Sequence, residues 1–264
     1  YFISGPDKDE FHSILKPLSG QKNFYIFSSK SLSTDETLSC LKWLGRERNS
    51  INSIVITANS KKAISMGFHE NCIVPIPESI GGRYSIWSPI SLSASTENNF
   101  SKFLKGGFAA DKMILGTSKE DKQYQKLIKI LAFSDIWFNN FKNKKNRVVL
   151  SYNWKLRSLA NYIQQLEMES LGKHANPRSI FKETGQSIFG GFGSTAQHSY
   201  FQLLHQGTAD FCADIIYSAS GRSPLSSAQA KGQASLLSSD YMGSINMLEK
   251  TNSSSPVNLF HLNK

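Results

Sequence analysis

Four short runs in this 264-residue chain bring together residue types that can do chemistry. The first is Ser29-Lys30-Ser31-Leu32-Ser33-Thr34, which follows the apolar Phe24-Tyr25-Ile26-Phe27 and opens a helical pattern. Free backbone N–H groups and the positive end of a helix dipole make such a place attractive to an anion. The hydroxyls add donors and the lysine adds charge. The same run also reads as a plain capped helix with exposed serines. The second run is Gly81-Gly82-Arg83-Tyr84-Ser85-Ile86-Trp87-Ser88. Two glycines let the backbone turn sharply or approach a ligand. An arginine in a first helical turn opposes the dipole, so another group should hold it. A guanidinium aimed at a negative oxygen is one use; a surface arginine after a turn is the other.

The third run is Gln165-Leu166-Glu167-Met168-Glu169-Ser170-Leu171-Gly172-Lys173. Gln165 and Glu169 are four apart and share a helix face, and Gly172 reads as the helix stop. A carboxylate in a last helical turn meets the negative dipole end, which raises its pKa toward the range a general base needs. On these grounds Glu167 and Glu169 are equal candidates, and a solvated helix end explains both. The fourth run is Gly190-Gly191-Phe192-Gly193-Ser194-Thr195-Ala196-Gln197-His198. His198 has an imidazole that exchanges protons near neutrality, or is a structural histidine behind a capping Ser194-Thr195 pair. His205, two helical turns further on, is read as structural.

The elements that must carry these runs alternate. Strands are expected at Phe24–Phe27, Ser53–Thr57, Cys72–Val74, Arg147–Ser151 and Phe211–Tyr217. Helices are expected over Leu38–Leu44, with Ser33 and Glu36 as a capping box, and over Lys61–Met66. Further helices should start near Arg83 and run over about Leu156–Glu169 and Thr195–Leu204. Residues 100–145 read as mostly helical, with Leu127, Ile130, Leu131, Ile136 and Trp137 buried. The alternation argues for an α/β fold with parallel sheets flanked by helices. The expected layout is a first domain over 1–107, a helical bridge over 108–145, a second domain over 146–238 and a tail over 239–264, with Thr251–Pro256 as loop.

With 39% apolar and 19% charged residues the composition is globular. The net charge of +10 is scattered. Its densest run, Lys142, Lys144, Lys145 and Arg147, reads as a solvated turn between elements. No recognition-helix, RNA-binding or zinc-knuckle pattern accompanies it, so nucleic acid is not an expected partner. No apolar run approaches the roughly 20 residues needed to span a bilayer, so no membrane segment is expected. Cys40, Cys72 and Cys212 lack metal spacing and are read as core thiols of a reducing compartment. The start at Tyr1 reads as a piece of a longer chain.

Taken together and in order, the four runs resemble the glucose-6-phosphate isomerase (phosphoglucose isomerase) family over at least residues 1–235. Gly81 to Ser88 is very similar to that family's signature. The resemblance implies two sugar-isomerase (SIS) domains, each a parallel sheet flanked by helices and both incomplete here. It implies an aldose–ketose isomerase of glycolysis and gluconeogenesis that interconverts glucose 6-phosphate and fructose 6-phosphate through a cis-enediol. Ser29, Lys30, Ser31 and Thr34 would hold the phosphate, and Gly82 and Gln165 would join the substrate contacts. Glu169 would be the base, His198 the ring-opening group and Arg83 the stabiliser of the enediolate. No metal or organic cofactor is implied. The partners implied are a hexose 6-phosphate and a second copy of the chain, the neighbouring subunit supplying His198. The compartment implied is the cytoplasm.

The family's first Gly-rich loop and its C-terminal ring-opening lysine are expected outside residues 1–264, so this stretch alone is expected to be incomplete as a catalyst. The sequence departs from the family at Leu171, where Asn is usual, and in the loop, where Glu-Pro is usual at 191 and 192, Thr at 194 and Asn at 195. Two rivals stay open at this point. One is a non-catalytic SIS-domain phosphosugar-binding protein; the other is an isomerase of both glucose and mannose phosphates.

Overall fold

The structure is a computed structural model that describes residues 1–45, 51–94, 100–218, 224–239, 251 and 255–263. The chain divides into two compact units, Tyr1–Leu115 and Gly116–Lys264. Among the described residues no helix is long and apolar enough to cross a membrane.

In the first unit, helix α1 (Lys8–Leu15) is capped by the Asp7 carboxylate, which accepts from the Asp9 and Glu10 N–H groups. Strand β1 (Tyr25–Ser28), helix α2 (Asp35–Leu44), strand β2 (Ser53–Thr57), helix α3 (Ser60–Ser65), strand β3 (Ile73–Pro75) and helix α4 (Phe100–Leu115) follow. The strands form one parallel sheet in the order β1-β2-β3, with Ile26 opposite Ile54 and Ile56 opposite Val74. Parallel neighbours need crossovers, and α2 and α3 supply them. Phe11, Phe27, Leu41, Val55, Ala63 and Phe68 close the core.

The α-helix expected near Arg83 is instead a pair of 3₁₀ turns, Gly82–Trp87 and Pro89–Ala94. Pro89 lacks an N–H and forces Ser88 into extended backbone (φ −106°, ψ 173°), which stops the first turn.

The second unit opens with helix α5 (Lys119–Phe141), started by a Ser118–Asp121 capping box. Strand β4 (Asn146–Ser151) and helix α6 (Leu159–Ile163) come next, then a π-helical turn (Gln164–Met168) and helix α7 (Glu169–Leu171). Strand β5 (Ser187–Phe192), helices α8 (Gly193–Ala196) and α9 (Phe201–Gln206), strand β6 (Phe211–Ser218), helix α10 (Pro224–Ser238) and strand β7 (Val257–Leu262) complete it. The sheet is parallel throughout, in the order β5-β4-β6-β7.

Strand alternation sorts the side chains onto two faces. Val148, Leu150, Ala213 and Ile215 pack under α8, α9 and α10 through Phe201, Leu204, Ala230 and Leu237. Val149, Ile188 and Ile216 face α6 through Ala160, Leu159 and Ile163.

Several expectations change here. Gly190 and Gly191, read as loop, lie inside β5. A Cβ on Gly190 would stand 1.9 Å from the Val149 carbonyl oxygen, so glycine lets β5 lie close against β4. Of the stretch expected to be tail, residues 240–250, 252–254 and 264 lie outside the described residues, and Val257–Leu262 is a sheet strand paired to β6. The single helix expected over Thr195–Leu204 is two, separated by turns at 197–200, where the His198 N–H donates to the Thr195 carbonyl at 3.0 Å.

On α5, Leu127, Ile130 and Trp137 were expected in the core but are about half exposed, at 49%, 51% and 50%. Among the described residues the one buried on that helix is Asn139, near its C-terminal end. The basic run before β4 is not simply solvated either. Lys144 pairs with Asp210 at 2.6 Å, Lys145 with Glu183 at 3.0 Å, and Arg147 is drawn inside.

Candidate active site

The hydroxyl run occupies the carboxyl end of β1, where open parallel sheets place ligands. Ser29 is buried, and its N–H donates to the Ile56 carbonyl at 3.1 Å. Its Oγ accepts from the Leu32 N–H at 3.2 Å and lies 3.3 Å from Thr34 Oγ1. Leu32 takes a left-handed backbone (φ 49°), which folds the loop back on itself. The Lys30 carbonyl is tied to β2 by the Ala58 N–H (2.9 Å) and the Thr57 hydroxyl (3.0 Å), which leaves the Lys30 side chain exposed.

The expected Ser33–Glu36 capping box is absent. Thr34 is the N-cap of α2 and makes no side-chain cap bond. Its hydroxyl turns to Ser29, while Ser33 pairs with Ser31 at 2.5 Å. The first turn of α2 therefore keeps its N–H groups unclaimed by a side-chain cap, beside a ring of hydroxyls. Ser29, Lys30, Ser31 and Thr34 thus stand together around one helix start.

Gly82 and Arg83 open the first 3₁₀ turn after β3, seven and eight residues beyond its last residue Pro75. Gly82 is exposed, Arg83 is half-buried, and its guanidinium lies 5.1 Å from the Tyr84 ring centre. A cleft of about 670 Å³ in this unit, lined among others by His12, Lys16, Tyr25, Trp43 and Asn52, lies at the amino ends of β1 and β2 and contains none of these residues.

In the second unit the helical run from α6 to α7 separates the two glutamates. Residues two apart on a helix do not share a face. Glu167 turns inward and meets Arg147, near the amino end of β4, through both carboxylate oxygens at 3.1 and 3.0 Å. Glu169 is exposed on the other side. The Glu169 N–H donates to the Gln165 carbonyl, which stacks these two exposed residues one above the other. Gly172 ends the run, and a Cβ there would lie 2.3 Å from the Met168 carbonyl oxygen. The two carboxylates, equal by helix position and charge alone, are thus distinguished by burial and by an ion pair.

His198 is exposed in the turn after α8, beyond the carboxyl end of β5. Its neighbour Gln197 donates to the Tyr152 hydroxyl at 3.1 Å, just past the end of β4. Ser194 donates to Gln229 (3.4 Å), and Phe192 packs edge-on against Trp154 (5.3 Å). Met168, by contrast, accepts from the Ile188 N–H at 3.4 Å, near the amino end of β5. Glu169 and His198 of one chain therefore belong to opposite ends of the same sheet. The length of β5 separates those ends by roughly 17 Å at about 3.3 Å per residue.

A model of the phosphoglucose isomerase family matches residues 1–256. The chain belongs to the phosphoglucose isomerase family. It is 34% identical over 239 residues to a glucose-6-phosphate isomerase of Shewanella pealeana, covering 85% of this chain and 43% of that one. A glucose-6-phosphate isomerase of Pseudomonas savastanoi pv. phaseolicola is 33% identical over 232 residues, 82% of this chain and 41% of that one. The chain thus spans about two fifths of the length of these relatives. The crystal structure of a glucose-6-phosphate isomerase from Chlamydia trachomatis has the same fold, with a TM-score of 0.81 at 22% identity over 99% of this chain and 55% of that one.

Within this phosphoglucose isomerase fold, the sequence reading missed a polar cluster on the α6 side of the second sheet. Arg147 Nε and Nη2 both donate to Asp214, at 2.7 Å from Nε, and Nη1 donates to Asp135 at 3.1 Å as well as to Glu167. Asn258 of β7 donates to the other Asp214 oxygen at 2.9 Å. Burial works against the Arg147 charge, but Asp214 first, then Asp135 and Glu167, outweigh it and raise its pKa. Burial lifts the Asp135 carboxyl to about 6 against the pull of Arg147, and repulsion from Glu167 and Asp214 adds to the rise. Burial likewise pushes Glu167 up while Arg147 draws it down. The partners lie 12, 20 and 67 residues from Arg147, so no local pattern announces the cluster. Among the described residues no group of three or more His, Cys, Asp or Glu is arranged to hold a metal ion.

Proposed function

We propose that the full-length protein carrying this chain is an aldose–ketose isomerase that interconverts glucose 6-phosphate and fructose 6-phosphate. The observation that carries this reading is the family match across 1–256, with relatives of 33–34% identity that are glucose-6-phosphate isomerases. The chemistry supports it. The phosphate docks on Ser29, Lys30, Ser31 and Thr34 at the start of α2, with Gly82 allowing close approach. His198 assists ring opening. Glu169 takes the C2 proton and returns it at C1, with Gln165 beside it on the same helix face. Arg83 stabilises the enediolate between the two transfers. None of these steps calls on a metal or organic cofactor.

The working form is a homodimer in which the neighbouring subunit supplies His198. Two observations favour this. Glu169 and His198 of one chain belong to opposite sheet ends, so a site that uses both draws them from two copies. The exposed apolar side chains of α5, including Ile130, Phe133 and Trp137, suit burial against a second copy. The protein works in the cytoplasm, in glycolysis and gluconeogenesis.

The test is conversion of fructose 6-phosphate to glucose 6-phosphate by the full-length protein, with Glu169→Gln as control. The wild type should turn over, and the variant should lose about 10²- to 10⁴-fold in kcat. A wild type without this activity, or a fully active Glu169→Gln, would sink the reading.

A further inference from the structure

The face of the second sheet that α6 covers is apolar at Val149, Ile188 and Ile216. By strand alternation Arg147 shares that face with Val149, and Asp214 shares it with Ile216. At this one place, two side chains that could have been hydrocarbon are a guanidinium and a carboxylate, with 12% and 5% of their surface exposed. An Arg–Asp pair alone would satisfy itself. Here Arg147 keeps its Nε and Nη2 on Asp214 and turns Nη1 outward to both oxygens of Glu167 and to Asp135, so the planar guanidinium fixes where Glu167 lies.

Glu167 lies within the π-helical turn Gln164–Met168, and Glu169 is the first residue after it. A π turn is a local insertion in an α-helix and rotates everything that follows it. Its neighbours pin the same segment. Gln164 Nε2 donates to the Ile188 carbonyl at 2.6 Å, Met168 Sδ accepts from the Ile188 N–H, and Ser170 donates to the Leu166 carbonyl. Of these tethers, the Arg147 contact is the one that acts on a charged side chain two positions before Glu169. Asp135 on α5 and Asp214 on β6 hold the arginine from its other sides, and Asn258 on β7 holds Asp214.

We propose that Arg147 is a positioning residue for catalysis. By clamping Glu167 it sets the rotation of the π turn, and so aims the Glu169 carboxylate at the substrate carbon. This rests on the reading of Glu169 as the base. Arg147 itself touches no substrate.

The test uses the full-length protein, fructose 6-phosphate, and glucose 6-phosphate deuterated at C2. Glu167→Gln keeps the shape and loses the charge. Arg147→Lys keeps a charge and loses the fork. Each should lower kcat at least tenfold with KM within twofold, and the double variant should lose no more than the worse single one. The isotope effect on kcat should rise in both, because a misaimed base makes proton abstraction limiting. Amide exchange over residues 164–171 should quicken, with Tm used to exclude variants that are unfolded. Unchanged kcat and isotope effect in folded Glu167→Gln and Arg147→Lys, with Glu169→Gln inactive, overturn the clamp alone. An active Glu169→Gln overturns the base assignment, and the positioning role falls with it.

Discussion

Ser29, Lys30, Ser31 and Thr34 show how much one residue's surroundings decide. Ser29 is buried, with its hydroxyl committed to the loop, whereas Lys30 is exposed with only its backbone tied down. In the proposed site, Lys30 contributes charge and little architecture. Lys30→Ala in the full-length enzyme should raise KM for fructose 6-phosphate about tenfold, the scale of a hydrogen bond to a charged group. The contact is equal in ground and transition states, so kcat should stay within about twofold. Initial rates across substrate concentration check this, and a fall in kcat at unchanged KM would exclude a phosphate role. The placement of this run at a strand end and helix start was legible in sequence, because a strand, a cap and a helix are contiguous. The choice between Glu167 and Glu169 came only from the family resemblance, because the side chain that separates them physically, Arg147, lies 20 residues away from Glu167.

Strands β1, β2, β3, β4 and β6 were visible as short apolar runs with β-branched or aromatic residues. Strand β5 was not, because the glycines that let it pack against β4 carry the usual signal of a loop. This gives a direct prediction. Gly190 has φ +156°, and a Cβ there would meet the Val149 backbone rather than a yielding side chain. Gly190→Ala should therefore cost about 3 kcal/mol or more of stability, read from urea unfolding. A cost near zero would mean that β5 can shift outward.

The carboxylate cluster predicts a pH response at the same scale. The folded-state pKa of Asp135 is lifted from 3.8 to about 6, and Glu167 is shifted in the same direction. The folded state therefore binds more protons than the unfolded one between these values. The stability contributed by Asp135 is fully present below about pH 4 and is lost as pH rises through about 6. Asp135→Asn removes the titration while Glu167 and Asp214 remain on Arg147. Relative to wild type, it should gain about 2 kcal/mol between pH 4.5 and pH 8. Unfolding midpoints measured across that range check it, and a pH-independent difference would contradict the raised pKa.

For the whole molecule, the sequence pattern carried the class of fold because each strand-to-helix alternation is local, while strand order is not. Nothing before residue 240 announces that β7 joins β6, since the pairing unites residues 44 apart, such as Asp214 and Asn258. The same limit applies to assembly. Only the family resemblance, not the pattern of residues, implied that a neighbouring subunit supplies His198; one chain places Glu169 and His198 at opposite ends of one sheet. If each active site takes its glutamate from one subunit and its histidine from the other, two inactive variants carry complementary defects. A hybrid of Glu169→Gln with His198→Ala then holds one site with both defects and one with neither. Equal mixing with subunit exchange, or co-expression, should return about a quarter of wild-type activity, since half the dimers are hybrids with one good site. Each variant alone should stay near background. Hybrids isolated with two different affinity tags, present in full yet inactive, would mean that both residues act within a single chain or that one of them does not act at all.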